Sequence, residues 1–186
     1  MKHQRIWIGV LVLCFGCQSS PTTPPDTLAA SVDETLTLMN DRLGLMNAVA
    51  ESKLQLNLPV EDASREEAIL QAVEVDAKAA GLDKAFAREF FTAQFEAAKL
   101  IQAEAKKSLP KTAPSEEGMK KAGEKLTELR TKINDLNIKL LTTLGKIDWK
   151  ARDTDARKRF AERGPELLKT HPETVRAKAL APLLSK

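Results

Sequence analysis

The chain has 186 residues, 42 % hydrophobic and 30 % charged, the balance of a globular protein long enough for one ordinary core. A formal net charge of +3 supplies no dense basic face, so no nucleic-acid partner is expected. Cys14 and Cys17 both lie near the start and His171 is the one histidine beyond His3, which sets aside disulfides, thiol chemistry, a metal site and a Ser-His triad for the rest of the chain. With no GxGxxG or P-loop pattern either, no cofactor is expected.

The first stretch, MKHQRIWIGVLVLCFGCQSS, places Lys2 and Arg5 ahead of an apolar run from Ile6 to Gly16. That run is too short to span a bilayer as a helix and reads as an export signal over residues 1–17. Cys17 follows the small Gly16, an arrangement that resembles a bacterial lipoprotein signal with Cys17 as the lipidated first mature residue. Cys14 stands three residues before it, where Leu is usual. The C-x-x-C spacing is then a signal residue plus a processing site, not a redox pair. Pro21, Pro24 and Pro25 keep residues 18–26 an extended tether. The protein is expected to be exported, either periplasmic or anchored at the envelope, touching membrane only through that lipid.

Residues 27–186 read as one all-α domain. A first helix from Asp26 or Thr27 to near Leu58-Pro59 carries Leu36, Met39, Leu43, Met46 and Ala50 at 3-4 spacing, a core-facing seam. Asp62 or Ser64 starts a second, with Ser64-x-x-Glu67 as a capping box, and Gly81 stops it. Asp83 caps a third with Phe86, Phe90, Phe91, Phe95 and Ile101. SLPKTAPSEEG is a loop. A fourth helix from about Ser115 carries Leu126, Leu129, Ile133, Leu136 and Leu140. Shorter helices follow over Trp149–Glu162 and after Thr170, where Thr170-x-x-Glu173 repeats the box pattern. No segment alternates like a strand. The expected architecture is three long core helices and a shorter C-terminal set.

Some polar residues do not fit this apolar scheme. The first seam continued past Ala50 reaches Lys53. Arg42 lies eleven residues earlier, and eleven steps of about 100° return to the same face roughly 16 Å away. Asp62, Arg65 and Glu66 share a face of the second helix's first turn. Phe91, Gln94, Ala98 and Gln102 form one stripe of the third, and Arg130 is one residue off the fourth seam. Each has an ordinary explanation: long cations snorkel, capping ion pairs are exposed, glutamines sit at helix edges. Taken as a set, they could all point inward, which a helical bundle tolerates only around a polar ligand. The excess of cations points to an anion, and arginine to carboxylates.

The spacing Arg42–Lys53–Asp62–Arg65–Glu66–Gln102, together with PVEDASRE, GLD and FFTAQFEAAKLIQ, resembles the all-α chorismate mutase family, and its exported gamma class most. The resemblance covers about Asp41 to Gln102, extended by Arg130; the last forty residues add little to it. It implies an isomerase that turns chorismate into prephenate without cofactor or metal, in a homodimer. It assigns Arg42 and Arg130 to the substrate carboxylates, and Lys53 to a carboxylate and the enolpyruvyl ether oxygen. Gln102 donates to that oxygen from the other side. Asp62 and Glu66 hold the ring hydroxyl, and Arg65 completes the wall. Ala98 stands where relatives carry a Ser or Thr that contacts a carboxylate. The rival class is a non-catalytic helical envelope lipoprotein whose stripe binds a partner helix or a small anion.

Overall fold

The computed structural model describes residues 27–110 and 113–185. Among them are seven helices and no strand: α1 (Thr27–Gly44), α2 (Met46–Gln55), α3 (Ala63–Ala79), α4 (Lys84–Ser108), α5 (Glu116–Gly145), α6 (Trp149–Leu167) and α7 (Glu173–Leu184). The all-α expectation is borne out. The export signal, the tether and Cys17 lie outside the described residues. No helix among the described residues is long and apolar enough to cross a membrane.

The expected first helix is divided. Behind Gly44, a poor helix former, the Leu45 N–H bonds the Arg42 carbonyl at 3.3 Å, a tighter turn than the α-helical ladder, and α2 then resumes. The division falls between the two seam cations. Asn57, at φ 55°, ends α2 in a Schellman turn: Leu58 N donates to the Lys53 carbonyl at 2.7 Å and Asn57 N to that of Leu54 at 3.0 Å. Gly81, at φ 76°, ends α3 in the same way, with Leu82 N on the Ala77 carbonyl at 2.9 Å.

Of the expected caps, Asp83 accepts from Phe86 N at 2.9 Å. Ser115, expected only as the start of the fourth helix, also caps it, accepting from Gly118 N at 3.1 Å. The two capping boxes do not form. Asp62 caps α3 itself, accepting from Arg65 N, and the Ser64 hydroxyl donates to Asp62 instead. The Thr170 hydroxyl donates to Asn40 Oδ1 at 3.0 Å, while α7 starts behind Pro172.

Two apolar clusters hold the bundle. The larger joins Leu36, Met39 and Leu43 of α1, Phe90 and Phe91 of α4, and Leu140 and Leu144 of α5 to Phe160, Leu168 and Leu183 at the C-terminal end. The last two helices are therefore core elements rather than an appendage. α6 runs past the expected Glu162 to Leu167, and Gly164 lets it approach α7 so closely that a Cβ there would meet the Leu180 side chain. Trp149 opens α6, stacked on Phe160 and bonded through Nε1 to the Leu144 carbonyl at 3.0 Å. The smaller cluster, Met46, Val49, Ala98, Leu126, Leu129 and Ile133, brings α2, α4 and α5 together, and all of these but Leu129 line a cleft.

Candidate active site

The cleft opens between α1–α2, the start of α3, α4 and α5. Lys53, Gln102, Arg42, Asp62, Arg65, Glu66, Ala98 and Arg130 all line it, together with Lys99 and the apolar Met46, Val49, Ile69, Phe95, Leu126 and Ile133. Five of these side chains are cations and two are carboxylates, so the lining carries an excess of three positive charges. Neither His nor Cys lines it.

Arg42 lies in the last turn of α1 and is only 2 % exposed. Its Nε donates to Asn137 Oδ1 at 3.0 Å, Nη1 to the Gln94 carbonyl at 3.3 Å, and the guanidinium stands over the Phe95 ring at 5.5 Å. Burial holds its pKa down to about 10, so it stays charged at neutral pH. Lys53, in the last turn of α2, is 7 % exposed. The Schellman turn after it brings the chain back, and Nζ donates to the Val60 carbonyl at 2.6 Å. Burial pushes the ammonium below the usual lysine range and Arg130 adds to this, while Asp62 and Glu66 oppose it. Both buried cations are thus met by neutral acceptors, which leave their charge uncompensated by direct pairing.

The opposite wall is α4. Phe95, Ala98, Lys99 and Gln102 follow at i, i+3, i+4 and i+7, one face of the helix. Gln102 is buried; its Nε2 reaches only Met46 Sδ at 3.6 Å, and Oε1 has no hydrogen-bond partner among the described residues. An amide so weakly held can offer its N–H groups to a ligand without breaking a strong bond. Gln94, on the expected stripe, does not line the cleft: Nε2 bonds the Ala179 carbonyl of α7 at 2.9 Å, and its backbone carbonyl supports Arg42.

At the mouth, Asp62 accepts from Arg65 N at 3.3 Å as the α3 cap and pairs with Arg130 Nη2 at 3.4 Å. Burial and the neighbouring Arg130 lower the Arg65 pKa. Glu66 pairs with Lys99 at 3.2 Å, and Lys99 also meets Glu96 at 2.7 Å. Burial works against the Lys99 charge, but its bonds to Glu96 and Glu66 raise its pKa.

Sequence reasoning missed Lys99 and Asn137. Lys99 shares the Ala98–Gln102 face, a spacing that was available. Asn137 stands seven residues after Arg130, while the expected fourth seam used its neighbour Leu136, which is only half-buried.

The family model for chorismate mutase type II matches residues 30–103, which include every polar or charged side chain of the cleft named above except Arg130, and exclude Asn137. A secreted chorismate mutase of Yersinia pestis is 35 % identical over 74 residues, 40 % of this chain and 40 % of that protein, so the match spans about two fifths of the curated relative's length. The crystal structure of chorismate mutase from Burkholderia thailandensis superposes with a TM-score of 0.64 at 25 % identity, covering 83 % of this chain and 99 % of the other. That of the secreted Yersinia pestis enzyme gives 0.61 at 23 % identity, over 81 % and 94 %, a likeness of fold. The resemblance read from the sequence is borne out by these matches.

Proposed function

We propose that this chain is a chorismate mutase, converting chorismate to prephenate by an intramolecular [3,3] rearrangement. The observation that carries this reading is the pair of buried cations, Arg42 and Lys53, facing one cleft with only neutral acceptors. Buried charge without a carboxylate is costly unless a ligand completes it. A dianion with two carboxylates and an ether oxygen is suited to that role.

The chemistry matches the residues. One ether C–O bond breaks and one C–C bond forms; no proton, electron or group leaves the molecule, so no nucleophile or base is needed. The cleft has two tasks. Arg42 and Arg130 bind the carboxylates, and Asp62 and Glu66 the ring hydroxyl, holding the diaxial, chair-like conformer in which the reacting carbons meet. Lys53 and Gln102, from α2 and α4, flank the ether oxygen and stabilise the negative charge that builds as the bond breaks. Arg65 adds positive potential at the mouth. Ala98 presents a methyl group where a hydroxyl would add one carboxylate bond, so substrate binding here rests more heavily on the arginines.

The test is incubation of the purified protein with chorismate, following loss of its ultraviolet absorbance and formation of prephenate. Turnover that scales with protein concentration is the expected result. A folded protein that leaves chorismate unchanged would favour the rival, a non-catalytic envelope protein.

The protein is further proposed to act outside the cytoplasm, as the 1–17 signal pattern and the secreted relative support. It is proposed to be a lipoprotein anchored through Cys17 and to form a homodimer, with each protomer holding a whole cleft because all eight residues belong to one chain. Labelled palmitate should enter the product and be lost in Cys17→Ser. A soluble product beginning downstream of Cys17 would refute the anchor.

A further inference from the structure

Asn137 lies on α5, two turns beyond Arg130 on the same face, and is 5 % exposed. Its Oδ1 accepts the Arg42 Nε–H at 3.0 Å across the bundle, while the Gln94 carbonyl takes Nη1. Arginine carries donors only, so the amide atom that faces it must be the oxygen. A buried guanidinium is ordinarily matched with a carboxylate, whose charge-assisted bonds are about twice as strong as neutral ones. Aspartate has the same size and shape as asparagine and would fit the same space. A neutral partner therefore sacrifices bond strength at this position, and the sacrifice has a physical consequence: Arg42 is held in direction while Nη2, with no acceptor among the described residues, keeps its pull on an anion. Lys53 shows the same device, with a peptide carbonyl as its acceptor.

We propose that Asn137 is a positioning residue: its neutral amide fixes the Arg42 guanidinium toward the cleft and leaves the charge for a carboxylate of the ligand. The proposal rests on the reading of the cleft as a dianion site.

Two substitutions separate the two halves of this role. N137D keeps a bond to Nε and strengthens it but neutralises Arg42 locally. N137A keeps the charge but releases the side chain and leaves a buried donor unpaired. The unfolding midpoint should therefore run N137D equal to or above wild type, with N137A below both. KM for chorismate should run in another order, with N137D the worst, raised roughly 10- to 100-fold as befits a bond to a charged group, and N137A between it and wild type. kcat should change less than KM in N137D. A merely structural asparagine would make KM follow the stability order, and that result, or a wild-type KM in N137D, overturns the proposal. A readout independent of turnover is the Arg42 Nε–H resonance of the ¹⁵N-labelled protein, identified by its loss in Arg42→Lys. It should be protected from exchange in wild type and exposed in N137A. Wild type that leaves chorismate unchanged would remove the proposed activity while this resonance still decided whether Asn137 holds Arg42; equal protection in wild type and N137A would overturn the positioning role.

Discussion

Replacing Lys53 by Met removes a charge from the cleft at nearly constant volume, and its effects on stability and on rate should part company. On stability, two terms oppose each other. The bond from Nζ to the Val60 carbonyl, 2.6 Å long, is lost; a bond from a charged donor contributes about 1.5–3 kcal/mol. Against this stands the cost of keeping an ammonium in a site 7 % exposed, visible as a lysine pKa pushed down chiefly by burial. A folded-state pKa below the unfolded one means that the unfolded chain binds the proton more tightly. The charged Lys53 thus subtracts from stability at neutral pH, and the deficit is relieved only as pH rises through the folded-state pKa toward 10.5. The methionine carries no such deficit, so the net change should stay within about 1–2 kcal/mol, a shift of a few degrees for a chain of this size. On rate, losing one preorganised donor at an oxygen that gains charge costs about 10²–10³ in kcat. Parallel assays of chorismate loss and thermal unfolding on Lys53→Met measure both. A folded variant with wild-type kcat would refute the role given to Lys53, and a large drop in Tm with little effect on kcat would make it a structural residue.

The other cations differ in burial, and their variants should differ accordingly. Arg42→Ala should raise KM strongly and lower stability by about 1–3 kcal/mol, because it strands the Asn137 and Gln94 acceptors. Arg130→Ala should raise KM with hardly any change in Tm, since its pair with Asp62 at 3.4 Å is about one-third exposed on both sides; an unchanged kcat/KM would remove Arg130 from the site. Burial holds the His171 pKa below its ordinary value, with the Asn40 backbone acting against this, so the unfolded chain protonates first on acidification. Tm should therefore fall as pH drops through about 6.5 toward the folded-state pKa, and His171→Gln should flatten that part of the profile. Gln102 does not titrate, so kcat should be nearly flat across neutral pH; Gln102→Glu should donate only when protonated, and its activity should fall as pH rises through the pKa of the new carboxyl. Wild-type activity and pH dependence in Gln102→Glu would place Gln102 outside the site.

The sequence made the cleft legible where polar residues interrupt a periodic apolar seam. Arg42 and Lys53 stood out because their positions should have held core residues, and the helical period alone put them on one face. Asp62, Arg65 and Glu66 were legible through the spacing of a first turn. What a single helix cannot reveal is its partner. Asn137 looks like an ordinary polar residue beside Leu136 until α1 crosses α5 and Arg42 needs an acceptor. Lys99 reads as a solvated charge until the start of α3 brings Glu66 beside it. The break at Leu45 follows Gly44, a poor helix former, but the seam of Leu43, Met46 and Ala50 runs on through it and conceals it. α7 carries buried residues at Val175, Ala179, Leu180 and Leu183, a pattern too short to rank as a core helix before Phe160 and Gln94 are seen against it.

The arrangement of the buried cations leads to one further consequence, which concerns the fold itself. Arg42 and Lys53 are desolvated, held by neutral acceptors, and lowered in pKa by that burial. Part of the folding free energy is therefore withheld until an anion arrives. A ligand that binds only the folded chain stabilises it by RT ln(1 + [L]/Kd), about 2.7 kcal/mol at one hundred times Kd. A chain of this size converts that into roughly 5–10 °C of Tm. A non-reacting dicarboxylate mimic of the transition state should raise Tm by this amount in wild type. The rise should shrink in Lys53→Met and in Arg42→Ala, although the first of these should stay within about 1–2 kcal/mol of wild type on its own. It should also diminish with added salt less than an exposed-surface interaction would, because both cations lie away from the screening ions. A mimic that raised Tm equally in wild type and both variants would be binding elsewhere, and the buried cations would then need another explanation.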